Sequence, residues 1–228
     1  MLCDSYFKNP GDVSLFLEKI RKYSDRTGSV RLMEICGTHT MAIARSGLKS
    51  ILPENVQLLS GPGCPVCVTP SNMIDLALDL SQKPGVLIAS YGDLLRVPGS
   101  LRGDSLLKRR ASGGNIQSVY SPADAVQIAR EHPEMEIIFL GVGFETTAPG
   151  TAACILEAAS EGLKNFSVLS LLKRTEPAIR ALIEADDFAV SGFLCPGHVA
   201  AVIGADAFSF LPEEYGLPGV VSGFEPAD

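Results

Sequence analysis

Short apolar runs rich in β-branched residues alternate with amphipathic stretches along the whole chain. This alternation is typical of βα units around parallel sheets, because a buried strand is apolar on both faces and a covering helix on one. The pattern predicts an α/β fold with two similar, Rossmann-like domains whose parallel sheets are flanked by helices. The predicted strands are residues 30–35, 56–60, 86–90, 116–120, 136–140, 166–171, 188–193 and 219–222.

Two helices are predicted together with their first residues. In the helix at 71–80, Ser71 is expected to cap the amino end. In the helix at 121–130, Ser121 is expected to be the cap and Pro122 to take the first helical position, where a missing N–H does no harm.

One stretch interrupts the alternation of strands and helices. Residues 97–114 are rich in Gly, Ser and basic side chains, which predicts a domain crossover or a mobile loop. We therefore place one α/β domain at 1–118 and a second at 119–228.

A segment of the first half recurs in the second half. Cys36-Gly37-Thr38-His39 is echoed by Cys195-Pro196-Gly197-His198, and each copy is followed at the same interval by Leu-Pro-Glu, at 52–54 and at 211–213. The echo suggests an internal duplication. Two similar halves facing each other would form a cleft, which is where ligands of such folds usually bind.

Composition narrows the class of protein. The chain is 46% hydrophobic and 20% charged, with a net charge of −7, which favours an ordinary globular protein over a disordered or nucleic-acid-binding one. The basic cluster of Arg102 and residues 108–110 is expected to be a solvated loop. Apolar runs are too short to cross a membrane, and the first residues lack a secretory pattern, so a cytoplasmic location is expected.

The six cysteines in a reducing compartment favour metal or redox chemistry over disulfide staples. Cys64 and Cys67 form a Cys-x-x-Cys between a predicted strand and the helix at 71–80. A thiol near a helix amino end is favoured as the thiolate, so the pair can exchange disulfides. A buried pair or half of a zinc site is the alternative, but the sequence has no second Cys-x-x-Cys.

Cys36 and His39 lie at the carboxyl end of the first predicted strand. If the turn after that strand is helical, the two side chains share a face, and His39 can bind the thiolate, relay its proton or join it at a metal. Inert packing of Cys36 is the alternative.

Two further loops carry polar candidates. Glu145 and Thr146 lie between the strand at 136–140 and a predicted helix, where hydroxyls and backbone N–H groups can hold an anion or a partner's polar group. The loop lacks a P-loop ending or a full dinucleotide pattern, so no nucleotide is inferred. His198 is expected to face the shared cleft. Cys3, Cys154 and Cys195 have no comparable context, and core packing is preferred for Cys154.

Five motifs in order resemble those of one family, the HypD hydrogenase maturation proteins. The resemblance runs from Met33 to Pro226. The motifs are Met-Glu-Ile-Cys-Gly-Thr-His-Thr at 33–40, Gly-Pro-Gly-Cys-Pro-Val-Cys-Val-Thr-Pro at 61–70, Gly-Phe-Glu-Thr-Thr-Ala-Pro at 143–149, Pro-Gly-His-Val at 196–199 and Gly-Phe-Glu-Pro at 223–226.

The resemblance implies a function. The family assembles the iron centre of nickel–iron hydrogenases, with its cyanide and carbon monoxide ligands, together with the small chaperone HypC and the cyanide donor HypE. It implies that Cys36 is the iron ligand with His39 beside it, and that Cys64 and Cys67 are an electron-exchanging dithiol. The family also carries a [4Fe-4S] cluster in a later part of its sequence. The chain is therefore expected to be a fragment without that cluster.

Two other functions remain open from the residues themselves. One is a free-standing thiol–disulfide oxidoreductase that uses Cys64 and Cys67. The other is an α/β enzyme that acts on a small molecule through a Cys36–His39 nucleophile pair.

Overall fold

A computed structural model describes residues 9–101 and 103–228, and it confirms the α/β fold. In these ranges eight strands form two parallel four-stranded sheets. The strands are β1 Val30–Glu34, β2 Val56–Ser60, β3 Val86–Tyr91, β4 Ile116–Val119, β5 Glu136–Gly143, β6 Phe166–Leu172, β7 Gly192–Pro196 and β8 Gly219–Ser222. The helices are α1 Pro10–Thr27, α2 Gly37–Ser46, α3 Leu48–Ile51, α4 Ser71–Leu80, α5 Leu106–Ala111, α6 Pro122–Glu131, α7 Ala148–Ser160, α8 Thr175–Ile183, α9 Gly197–Ile203 and α10 Phe210–Tyr215, with 3-10 turns at Leu94–Arg96 and Ala205–Phe208.

The predicted strand at 188–193 is wrong in its position. The observed β7 begins at Gly192 and ends at Pro196. Phe188 and Val190 lie in the segment before β7 and pack against the core of the first unit. This packing explains why an apolar run precedes the strand. Pairing with β1 and β8, rather than local propensity, selects the residues that form β7.

The chain forms two compact units. The first contains the described residues up to Cys64 together with Thr175–Asp228, and the second contains Pro65–Arg174. These bounds differ from the predicted domains at 1–118 and 119–228. The reason is that β7 pairs with β1, so the last part of the chain completes the first sheet instead of extending the second.

Each unit has its own core. In the first, Phe193 and Ile35 pack with Ile179 and Leu211 on one face of the sheet. In the second, Phe139 lies in one cluster and Leu140, its neighbour in β5, lies in another. Neighbouring residues of a strand face opposite sides, so β5 is buried on both faces, as expected of a central parallel strand.

The stretch 97–114 is folded, which corrects the expectation of a crossover or mobile loop. Its second half forms α5, in which Leu106 is fully buried. The guanidinium of Arg109 binds the carboxylate of Asp104 at 2.6 Å and lowers its pKa, chiefly through this hydrogen bond. The basic residues at 108–110 therefore lie on a short helix, whereas Arg102 lies outside the described residues.

Only one of the two predicted N-cap serines caps its helix. Ser121 caps α6 in a full capping box with Asp124, and Pro122 is the first helical residue, as predicted. Ser71 is not the cap of α4, because the helix begins at Ser71 itself and Pro70 occupies the capping position.

The two sheets have the same topology. The strand order is β2-β1-β7-β8 in the first unit and β4-β3-β5-β6 in the second. In each sheet, each central strand connects to the edge strand beside it: β1 to β2 and β7 to β8 in the first unit, and β3 to β4 and β5 to β6 in the second. The order reverses between these central strands, and ligands of open α/β sheets bind beside the carboxyl ends at this point.

Across the described ranges, every helix is too short or too polar to cross a membrane.

Candidate functional site

The duplicated motifs lie side by side in the first unit. Cys36 follows β1, and His198 follows β7, the adjacent strand of the same sheet. Both copies therefore belong to one domain, which corrects the placement of His198 in a domain separate from Cys36. They meet at the carboxyl end of the first sheet, where its strand order reverses.

Cys36 is the N-cap residue of α2. Its backbone is extended, with φ −136° and ψ 131°, and its Sγ accepts a hydrogen bond from the backbone N–H of Thr38 at 3.4 Å. The side chain is buried. A sulfur at this position accepts from N–H groups that the first turn of a helix would otherwise leave unpaired.

His39 lies one turn into α2 and is 4% exposed. Its Nε2 donates to the carbonyl oxygen of Gly223 at 2.7 Å, and the hydroxyl of Ser222 lies 3.2 Å from the same nitrogen. A carbonyl only accepts, so Nε2 carries a proton, and in the neutral ring Nδ1 holds the lone pair. Nδ1 is buried and has no hydrogen-bond partner within the described part of the chain.

Phe224 lies between the two histidines of the repeat. Its ring centroid is 4.7 Å from that of His39 and 5.1 Å from that of His198. The pKa of His198 is lowered, first by desolvation and second by the proximity of His39. The neutral form of His198 is therefore favoured.

The loop that follows β2 crosses directly over the residues around Cys36. Gly37 donates its N–H to the carbonyl of Gly63 at 3.4 Å. A Cβ added to Gly63 would lie 2.6 Å from the nitrogen of Gly37 and closer still to the Cα of Cys36. Only glycine fits this approach, and it brings the next residue, half-buried Cys64, beside the Cys36 loop.

Cys67 is exposed and lies in a turn that precedes α4. It lies four positions before Ser71, where the helix begins. The predicted position of the Cys-x-x-Cys between a strand and a helix is therefore confirmed. The boundary between the two compact units falls directly after Cys64.

Glu34 is a polar residue of this site that was not singled out from the sequence. It is the last residue of β1 and is completely buried. Its Oε1 accepts from the hydroxyl of Ser60 at 3.1 Å, and its Oε2 has no partner among the residues described. An acidic residue at the end of a predicted strand, two positions before Cys36, was the signal in the sequence.

Phe224 and Ser222 were also missed as site residues. The signal for them was positional, because both lie at the carboxyl end of the predicted strand at 219–222. Carboxyl ends of parallel strands share one edge of a sheet, so this loop had to lie near those of Cys36 and His198.

Glu145 and Thr146 lie in the second unit, between β5 and α7. Glu145 is half-buried and Thr146 is exposed. A Cβ added to Gly143 would collide with the side chain of Thr147, so the loop turns tightly at the end of the strand. Both candidates are thus at the point where the strand order of the second sheet reverses.

The remaining cysteines fall outside these loops. Burial raises the pKa of the Cys195 thiol to about 12, and it packs in the core of the first unit. Cys154 is buried in the second unit, and its pKa is raised first by desolvation and then by Glu157. Core packing is confirmed for Cys154. Cys3 lies outside the described residues.

No group of three or more His, Cys, Asp or Glu side chains within 9–101 and 103–228 is arranged to hold a metal ion.

The fold and this sheet edge define a class of protein: a two-domain parallel α/β protein that presents a capped cysteine, two histidines and a Cys-x-x-Cys loop. A family model described as HypD, hydrogenase formation hypA family, matches residues 12–228. The hydrogenase maturation factor HypD2 of Bradyrhizobium diazoefficiens is 45% identical over 95% of this chain and 59% of its own length.

Two further relatives show the same extent of similarity. The hydrogenase maturation factor HypD of Azotobacter vinelandii is 44% identical, and that of Escherichia coli K12 is 40% identical, each over 97% of this chain and 60% of its own length. The chain thus spans about three fifths of these relatives. It belongs to the HypD family of hydrogenase maturation factors.

Proposed function

We propose that this chain acts in the maturation of nickel–iron hydrogenases as the scaffold on which the iron centre receives cyanide and carbon monoxide. The observation that carries the proposal is the position of Cys36, capped by the N–H of Thr38 at the switch point of the first sheet. A thiolate is a soft ligand suited to iron that also binds strong-field diatomic ligands. Iron is the cargo of this reaction and Cys36 is its ligand.

His39 supports Cys36 from the same turn of α2. Its hydrogen bond to Gly223 holds the imidazole in one orientation and keeps the proton on Nε2. The lone pair on Nδ1 faces the interior of the unit and is available as an acceptor when the thiol gives up its proton. In this role His39 is a positioning and proton-holding residue beside the ligand.

Partner proteins supply what the scaffold lacks. A small chaperone similar to HypC provides a second thiolate for the iron, and a cyanide-transfer protein similar to HypE delivers the cyanide. The scarcity of clustered ligands in the described residues is compatible with a centre completed by a partner and by diatomic ligands.

The dithiol of Cys64 and Cys67 supplies electrons by thiol–disulfide exchange while the ligands are loaded. The contact of Gly63 with Gly37 supports this role, because it brings the first of the two thiols beside the iron ligand. Exposure of Cys67 gives the second thiol access to an external reductant.

The remaining candidates are assigned to ligand or partner contacts. His198, neutral and packed on Phe224, lies beside His39 and contributes a polar group to the same edge of the sheet. Glu145 and Thr146 form a polar loop of the second unit, where they contact the cofactor or a partner.

A free-standing thiol–disulfide oxidoreductase is the second candidate function, and the exposure of Cys67 next to α4 is the observation that favours it. The two functions differ in their need for Cys36, which an oxidoreductase does not require.

The test compares iron content and hydrogenase activity in cells that lack their own copy of the family member. The chain, fused to the remaining part of a relative, is produced as the parent, as Cys36→Ala and as Cys154→Ala. We expect the purified complex to lose its iron, and the cells their hydrogenase activity, only with Cys36→Ala. Equal iron and activity in all three would overturn the scaffold role. A fourth variant, Cys64→Ser, that loses thiol exchange while Cys36→Ala keeps the parent's exchange activity and iron would favour the oxidoreductase.

A further inference from the structure

A cavity lies between α1 and the face of the first sheet that this helix covers. The apolar residues of α1 recur at positions 13, 16, 17 and 20, which is the spacing of one helical face. This face does not close tightly onto the sheet, and Phe16 remains 43% exposed. A space of about 250 Å³ is left, walled by α1, the sheet, α2, α3 and the loop after β8.

Much of the wall of this cavity is aliphatic. The sheet contributes Leu32 and Leu58, which are register partners in β1 and β2, and it also contributes Leu194 of β7. Helix α2 adds Ile43. An apolar cavity of about 150 Å³ stays dry and binds a molecule such as benzene or xenon, so this one has room for a small apolar guest.

Polar groups in the wall are already bonded within the protein. Nε2 of His39 donates to the carbonyl oxygen of Gly223, and the hydroxyl of Ser46 donates to the carbonyl oxygen of Ala42 at 2.8 Å. A polar guest would have to break such bonds to gain its own, whereas an apolar guest leaves them intact.

The charge of the wall disfavours anions. Its charged side chains are those of Glu225 and Asp228, and none of the described residues that line the cavity is Lys or Arg. The carboxylate of Asp228 accepts from the N–H of Glu225 at 2.9 Å. Carboxylates without a lysine or arginine among these lining residues give the cavity a negative potential, which repels an anion and leaves an uncharged molecule unaffected.

The cavity reaches the candidate iron site. His39 is part of its wall, as are Ser222 and Phe224 of the loop after β8. His39 lies three residues after Cys36, and a helix rises about 1.5 Å per residue, so the two are about 4.5 Å apart along the axis of α2. A molecule held against His39 is thus about one helical turn from the thiol.

A second cavity provides a path from the surface. It has a volume of about 510 Å³, lies under the same helix and shares Phe16, Ile20 and Leu32 with the first cavity. It extends to Tyr23, which is exposed. A small molecule can therefore pass along α1 to the first cavity.

We propose that the cavity under α1 binds small, uncharged apolar molecules and holds them beside His39. Carbon monoxide is such a molecule, whereas an anion is not. On the basis of the proposed function, on which this step rests, the cavity holds carbon monoxide about one helical turn from the iron ligand before the gas binds the metal.

Xenon is the first probe, because it is apolar and its binding needs no iron. The chain, fused to the remaining part of a relative and labelled at its methyl groups, is observed by NMR under increasing xenon pressure. We expect saturable shifts at Ile43 and Leu58, and none at Leu106, which is fully buried in the second unit. Carbon monoxide should shift the same resonances, and sodium formate should not.

A cavity-filling variant provides the matched comparison. Leu58→Phe places a larger ring in the cavity, and Leu107→Phe makes the same change at an exposed position of α5. We expect the xenon shift of Ile43 to be lost in Leu58→Phe and kept in Leu107→Phe, with cooperative urea unfolding in both. Absence of a saturable shift in the parent, or equal shifts in parent and Leu58→Phe, would overturn the site. A shift of Ile43 with formate would overturn the preference for uncharged molecules.

Infrared spectra connect the cavity to the iron centre. In the complex with a HypC-like chaperone, we expect Leu58→Phe to keep the iron-bound cyanide bands and to show weaker carbon monoxide bands than Leu107→Phe. Equal carbon monoxide bands would overturn the supply of the gas from the cavity, although xenon still bound there. Absence of all these bands from the parent would instead count against the proposed function, so the two failures are distinguishable.

Discussion

The ring of His39 is bound through Nε2 to the carbonyl oxygen of Gly223 at 2.7 Å, although the two residues lie 184 positions apart along the chain. This hydrogen bond joins the first turn of α2 to the loop after β8. It fixes the orientation of the imidazole and ties together two loops of the same sheet edge. The orientation of His39 is thus a property of the folded unit rather than of the Cys-x-x-His spacing.

Replacement of His39 tests this link. His39→Ala removes the donor to Gly223 and leaves a gap in the buried turn, so we expect the free energy of unfolding to fall by about 1–3 kcal/mol. His39→Gln keeps an N–H donor and should lose less. Urea denaturation is the measurement, with His132→Ala as the control because His132 is exposed. Equal stability of His39→Ala and His132→Ala would contradict the link.

The close approach at Gly63 predicts a second effect. In Gly63→Ala the new methyl group meets the backbone of Ile35 and Gly37, and overpacking of this kind costs about 1–3 kcal/mol. We expect lower stability and faster alkylation of Cys36. Gly92→Ala is the matched control, since a Cβ there meets no atom within 4 Å. If both variants alkylate at the parent's rate, the loop does not constrain Cys36.

Burial of Cys195 predicts a dependence of stability on alkaline pH. Its folded pKa of about 12 lies above the ordinary thiol value of 9.0, so the folded protein holds a proton that the unfolded chain releases as pH rises above 9. Stability from this group is fully present below pH 9 and declines up to pH 12, by at most about 1.4 kcal/mol per pH unit.

Cys195→Ala removes that titration, so the decline in stability between pH 8 and 10.5 should become shallower than in the parent. Chemical denaturation at both pH values gives the comparison. An unchanged decline would show that the Cys195 thiol does not titrate differently in the two states.

The two serine positions at helix starts predict opposite results. Ser121 accepts from the N–H of Asp124 and caps α6, so Ser121→Ala should cost about 1 kcal/mol. Ser71 lies inside α4 rather than at its cap, and Ser71→Ala should change stability by less than about 0.5 kcal/mol. Thermal unfolding of both variants measures the difference. A larger loss at Ser71 would refute the observed capping.

Some elements of the fold can be predicted from the sequence and others cannot. Local signals such as the run at 56–60 and the capping box at Ser121 predict β2 and the start of α6 correctly, because neighbouring residues determine them. The position of β7 and the domain bounds depend on pairing between β1 and β7, which lie 160 residues apart, and no local pattern encodes that pairing.

The residues of the candidate site also differ in whether the sequence predicts them. Cys36, His39 and the Cys-x-x-Cys stand out because their residue types carry chemistry at strand ends. Glu34 and Phe224 acquire a place in the site only when the carboxyl ends of β1, β7 and β8 come together. The echo of His39 at His198 is visible in the sequence, but that both copies lie in one sheet follows from the fold.

In the proposed function, Cys36 is the ligand that holds the iron centre during hydrogenase maturation. Infrared spectroscopy of the chain purified with the proposed HypC-like chaperone tests this role most directly, because iron-bound cyanide and carbon monoxide absorb where protein does not. We expect these bands in the parent and in Cys195→Ala, and their absence in Cys36→Ala. Bands of equal intensity in Cys36→Ala would contradict it.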